Sequence, residues 1–73
     1  MLTSYDYPLL IEAGFTPGMT DTLLWKKDKD GNQWQAVVHV RNIDFIEHSP
    51  DLSVRQASRP LTPEEFTERF VEE

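Results

Sequence analysis

From Gln33 to Arg41 the side chains alternate, and the alternation admits little besides a β-strand. Trp34, Ala36, Val38 and Val40 fall on one parity, and Gln35, Val37, His39 and Arg41 on the other. Successive side chains of a strand point to opposite faces, so the first set makes an apolar face and the second a mixed, more polar one. An apolar strand face must be covered by other elements of the same chain. Just upstream, Thr22-Leu23-Leu24-Trp25-Lys26-Lys27 reads as a partner strand. The connection, Asp28-Lys29-Asp30-Gly31-Asn32, holds an Asp-Gly hairpin signal in a loop of about five residues. Ile43-Asp44-Phe45-Ile46-Glu47-His48 follows as a third strand, with Ile43 and Phe45 inward. Asn42 requires a tight turn or a bulge before it, and both fit. Ser49-Pro50-Asp51 ends the strand. Residues 52–60 suit a short edge strand or a loop equally.

Helices flank the strands. Leu61-Thr62-Pro63-Glu64-Glu65-Phe66 is a helix start at several levels. Thr62 and Glu65 are spaced as a capping box, and Leu61 and Phe66 as a hydrophobic staple. Pro63 stands at the first helical position, where a missing N–H costs nothing. Phe66, Phe70 and Val71 then make one narrow apolar stripe. At the other end, a helix over 6–13 is capped by Asp6 or Ser4 and closed by a left-handed Gly14 followed by Phe15. Thr16-Pro17-Gly18 breaks the chain after it.

The order predicts an α+β fold. It is a single small domain, 1–73, of helix, three-stranded antiparallel sheet and helix (αβββα), with both helices on one face. The expected core is Leu9, Leu10, Phe15, Leu23 or Leu24, Trp34, Ala36, Val38, Val40, Phe45, Phe66 and Phe70. A chain of 73 residues without cysteine has only this core to rely on.

The run Leu9-Leu10-Ile11-Glu12-Ala13-Gly14-Phe15, then a hairpin and a closing helix, resembles the αβββα layout of small bacterial RNA-cleaving toxins. Those carry Gly-Ser-His in the first strand. Here that place reads Thr22-Leu23-Leu24-Trp25, with no histidine. The resemblance therefore carries over no site residue, and a toxin-like RNA-cleaving enzyme stands only as an alternative.

Little else in the chain suits catalysis. Ser4, Ser49, Ser53 and Ser58 lack a nucleophile-elbow context. His39 and His48 are nine residues apart and differ in strand parity, which does not suit a shared metal. Asp28-Lys29-Asp30-Gly31 looks like the start of a calcium loop, but no Glu follows where the last ligand belongs. No catalytic residue, metal site or cofactor is expected.

Charge is the remaining signal. The chain is net −6. Its first 25 residues and its last 14 are acidic, and the middle is nearly neutral. Acidic chains are poor general nucleic-acid binders, because neutralising phosphates needs clustered cations. An acidic surface suits a basic protein partner instead. Glu64, Glu68 and Glu72 are spaced by four and line one helix edge, and Glu12 and Asp6 extend the patch if the helices lie side by side. The expected function is a non-catalytic protein-binding module. A phage or mobile-element inhibitor, anti-defence or anti-CRISPR-like, would fit this size and charge by blocking a basic or nucleic-acid-binding host protein. The alternative partner face is Lys26, Lys27, Lys29, Gln35, His39 and Arg41; an alternative function is nucleic-acid binding by the hairpin, through Trp25, Lys26, Lys27, Lys29, Trp34 and Arg41. No apolar run reaches a membrane span, and the Met start without a leader leads us to expect a cytoplasmic protein.

Overall fold

In the computed structural model, which describes residues 1–71, the alternating segment forms the centre of a five-stranded antiparallel sheet. The strands are β1 (Thr16–Pro17), β2 (Leu23–Lys27), β3 (Gln33–Val38), β4 (Ile43–His48) and β5 (Arg59–Pro60). They lie side by side in chain order. The three expected strands are present, and two edge strands of two residues each are added. Both end in proline. Helix α1 (Tyr7–Ala13) follows a short 3-10 turn (Ser4–Asp6), and α2 (Pro63–Phe70) closes the fold.

Register sets the two faces. Leu24 pairs with Ala36, which pairs with Phe45. Trp34 and Ile43 share their side, and all five are fully buried. Leu10, Phe15, Phe66 and Phe70 join the same cluster, so α1 and α2 bury their apolar sides against one sheet face. The molecule is accordingly thin, with extents of 30 × 29 × 19 Å. Leu23, Trp25, Gln35, Val37 and Ile46 occupy the opposite face.

Two core expectations change, those for Val40 and Leu9. Val40 is 90% exposed, because β3 stops at Val38 and the chain reverses through Val40 and Arg41. The His39 N–H bonds the Asn42 carbonyl, so a tight turn rather than a bulge joins β3 to β4. Leu9 is 41% exposed on the outer side of α1. Val71 is also partly exposed, because α2 ends at Phe70 and Val71 is extended. Of the two leucines in question, Leu24 is the buried one. Leu2 and Leu61 fill the vacated share of the core, both fully buried and joined by a 3.0 Å bond from the Leu2 N–H to the Leu61 carbonyl.

Residues 52–60 prove to be a broken edge. Arg55 bridges to His48, but Arg59 then pairs with Phe45, one residue out of step. Before it, Leu52 takes a left-handed φ of 64°. The Asp51 carboxylate accepts from the Ser49 hydroxyl, the Ser53 hydroxyl and the Ser53 N–H, which together lower its pKa to about 2.

The helix ends follow their local rules. Gly14 is left-handed, at φ 104°, and the Phe15 N–H returns to the Leu10 carbonyl at 2.9 Å. Asp6, expected to cap α1, makes no side-chain cap there. Its carboxylate instead accepts from the Thr3 N–H at 2.7 Å. On α2 the Thr62 hydroxyl accepts from the Glu65 N–H at 3.2 Å, and the Glu65 carboxylate from the Thr62 N–H at 3.3 Å. That second bond, chiefly, holds the Glu65 carboxyl below the usual carboxylate range; the Thr62 hydroxyl, Arg59 and Arg69 add to it. A carboxyl lowered in the folded state stabilises above its unfolded pKa, and that stabilisation is lost as pH falls through the folded value. Thr62→Ala is therefore expected to cost about 1 kcal/mol near neutrality. The cost should shrink only slightly in acid, because the variant keeps the Thr62 N–H bond to the Glu65 carboxylate and loses only the 3.3 Å bond from the Thr62 hydroxyl to it. Urea midpoints of parent and variant across acid and neutral pH check this, and a gap that widens in acid would contradict it.

Candidate functional site

The sequence points to two surfaces, and the fold separates them. On the helix side, Glu64 and Glu68 are exposed on α2. They share a depression with Lys29, Pro63, Thr67 and Val71. The same Pro63, Thr67 and Val71 form one wall of a second groove, between α1 and α2, of about 470 Å3. Leu9, Glu12 and Ala13 form its other wall, and Phe66 and Phe70 its floor. Glu12 thus lines the groove on one side of Pro63, Thr67 and Val71, and Glu64 and Glu68 line the depression on the other. Asp6 is not among the residues lining either groove, and its carboxylate is engaged by Thr3. Glu72 lies outside the described residues.

The carboxylates differ in what holds them. Glu65 is tied to Arg59 at 3.5 Å and to Arg69 at 4.0 Å. Among the described residues, Glu12, Glu64 and Glu68 make no ion pair, although Lys29 lines the depression with two of them. Repulsion between Glu64 and Glu68, one helical turn apart, is therefore relieved by no direct ion pair among the described residues.

The six residues of the alternative face do not form one surface. Lys26 lies on the helix side, with its Nζ 3.1 Å from where a Gly14 Cβ would stand. There it meets the C-terminus of α1, where a cation suits the helix dipole. Lys29 is also on the helix side, beside Glu64 and Glu68. Lys27 and Gln35 belong to the open sheet face by register. His39 lies beyond the end of β3, with Nε2 3.0 Å from Asp44 Oδ2, and Arg41 is exposed in the adjoining turn.

The two tryptophans part company. Trp34 is fully buried, edge-on to Phe70 at 5.6 Å, with the Arg59 and Arg69 guanidiniums over its ring. Its indole N–H donates to Asp28 Oδ2 at 2.7 Å. Trp25 sits on the open face. Its ring is 5.3 Å from that of His48, and its Nε1 edge runs over Gly18, where a Cβ would come within 3.3 Å. Strand parity carries this signal: once Leu24 is inward, Trp25 must be outward. His48 Nε2 is buried without a hydrogen-bond partner among the described residues.

Chemically, the helix side offers carboxylates around an apolar groove. Among the described residues no cluster of three or more His, Asp or Glu is placed to hold a metal ion, and no helix is long and apolar enough to cross a membrane. No family model matches the chain, and neither a curated protein nor a solved structure does.

Proposed function

We propose that this chain is a non-catalytic protein-binding module whose acidic helix side docks on a basic surface of another protein. The observation that supports this is the set of exposed carboxylates without ion pairs, Glu12, Glu64 and Glu68, gathered by the packing of α1 beside α2. Stability alone does not favour like charges at that spacing, and a basic partner relieves the repulsion. With a net charge of −6, the activity that suits such a surface is inhibition, by occupying the nucleic-acid-binding face of its target. The test is binding to a captured partner at two ionic strengths, for the parent and for Glu12→Gln/Glu64→Gln/Glu68→Gln. We expect the variant to bind several-fold more weakly at low salt, mainly through a slower association rate. We also expect added nucleic acid to compete with the parent. Affinity indifferent to salt and to the three changes would refute the proposal.

A second reading has one observation in its favour. Trp25 and His48 lie tilted against each other on the open sheet face beside Lys27 and Arg55, the aromatic and cationic elements with which single-stranded nucleic acid is held. Salt-dependent retention of the chain on single-stranded DNA or RNA, lost in Trp25→Ala, would favour it over the first.

A further inference from the structure

We infer that the groove between α1 and α2 receives an amphipathic basic segment of the partner, with an apolar side chain in the groove and Lys or Arg side chains on the carboxylates around it. The inference rests on the proposed protein-binding role and specifies what that surface recognises. Three features carry it.

The first is apolar character. Leu9 and Val71 stand on opposite walls, 41% and 37% exposed, over a floor of Phe66 and Phe70. The α1 segment Leu9-Leu10-Ile11 spends only Leu10 fully on the core, and Leu9 is left facing the groove. The second is size. About 470 Å3 lies within the ~300–1,000 Å3 range of pockets that bind ligands. The third is charge. Glu12 lines the groove itself, and Glu64 and Glu68 stand one helix row farther out, behind Pro63, Thr67 and Val71. A wholly apolar occupant would leave these carboxylates unanswered, and a nucleic acid would be repelled by them. A segment with apolar residues on one side and cations flanking them satisfies both, as in helix-in-groove recognition.

The probe is a fluorescein-labelled amphipathic peptide of Leu and Lys at helical spacing. Its control carries the same Lys residues with every Leu replaced by Ser. Fluorescence anisotropy gives affinity, and 15N–1H NMR of the protein gives location. We expect the Leu/Lys peptide to bind about tenfold or more tightly than the Ser/Lys peptide, as burial of one leucine side chain allows. Leu9→Ser should remove most of that preference. Val71→Ser serves the same purpose on the other wall, and unchanged thermal melts establish that both variants are folded. Glu12→Gln/Glu64→Gln/Glu68→Gln should weaken both peptides, and the shifts should centre on Leu9, Ala13 and Thr67. If both peptides bind equally but the carboxylate changes weaken them, the groove assignment fails and the acidic-surface reading stands. If the carboxylate changes have no effect either, both fail. Shifts centred on Trp25 and His48 would likewise overturn the groove.

Discussion

Phe70→Ala is expected to bring the domain close to unfolding. The Phe70 ring lies 4.9 Å from Phe15, 5.2 Å from Phe66, 5.6 Å from Trp34 and 6.5 Å from Phe45. It is thus the side chain that joins α2, the Gly14 turn and both central strands. Removing a buried phenylalanine costs about 3–5 kcal/mol, through lost transfer energy and the cavity left behind. At the usual stability per residue, a 73-residue chain has roughly 4–11 kcal/mol in total. The variant should therefore unfold at much lower urea, with a detectable unfolded fraction in buffer. Phe70→Leu keeps most of the volume and should cost well under half as much. Denaturation followed by tryptophan emission and far-UV circular dichroism decides the matter. A Phe70→Ala curve overlaying that of the parent would mean that α2 is not docked as described.

Asp28→Ala should cost about 3 kcal/mol, more than an ordinary turn substitution. One carboxylate performs three tasks. Oδ1 accepts from the Asp30 N–H at 2.9 Å and the Asn32 N–H at 3.0 Å, shaping the turn from β2 to β3. Oδ2 accepts from the Trp34 indole N–H at 2.7 Å. Trp34 has no exposure to water, so the alanine variant leaves a buried donor without a partner. Asp28→Asn retains a single carbonyl oxygen, which cannot face both the turn and the indole, and should fall between alanine and the parent. Thermal melts of the three proteins test this order. If Asp28→Ala melts with the parent, the indole N–H must reach water or another acceptor.

What was legible in the sequence was what depends on neighbours along the chain. The Thr62–Glu65 box, the left-handed Gly14 and the turn before Gln33 follow from side-chain chemistry within a few residues, and each formed as expected. The strands of five and six residues were long enough to show their period. The edge strands Thr16–Pro17 and Arg59–Pro60 were not, since two residues contain no period. Burial of Leu2 was hidden for another reason. It depends on Leu61 and on the Ile43 N–H, which bonds the Leu2 carbonyl at 3.2 Å, and these lie far along the chain. Val40 was misplaced because alternation continues in the sequence past the point where the backbone turns. The candidate site divides the same way. Spacing placed Glu64 and Glu68 on one edge of α2. The groove beside them arises only when a second helix is packed there, which exposes Leu9 on a wall rather than burying it.

The two edges of the sheet bear on how this protein can be approached. A bare edge strand is a template for any extended chain, its own kind included, because its unpaired N–H and C=O groups invite another strand. Here each edge is two residues long and ends in a proline, Pro17 or Pro60, which has no N–H to offer. On the β5 side the ladder is also out of step between Arg55 and Arg59. The sheet is therefore poorly suited to lateral growth, although one of its faces carries Leu23, Trp25 and Val37 without a helix above them. Strand addition is disfavoured both as a mode of recognition and as a route to fibrils. A partner is left the two broad faces, and the protein can keep apolar surface open on one of them without its edges seeding aggregation.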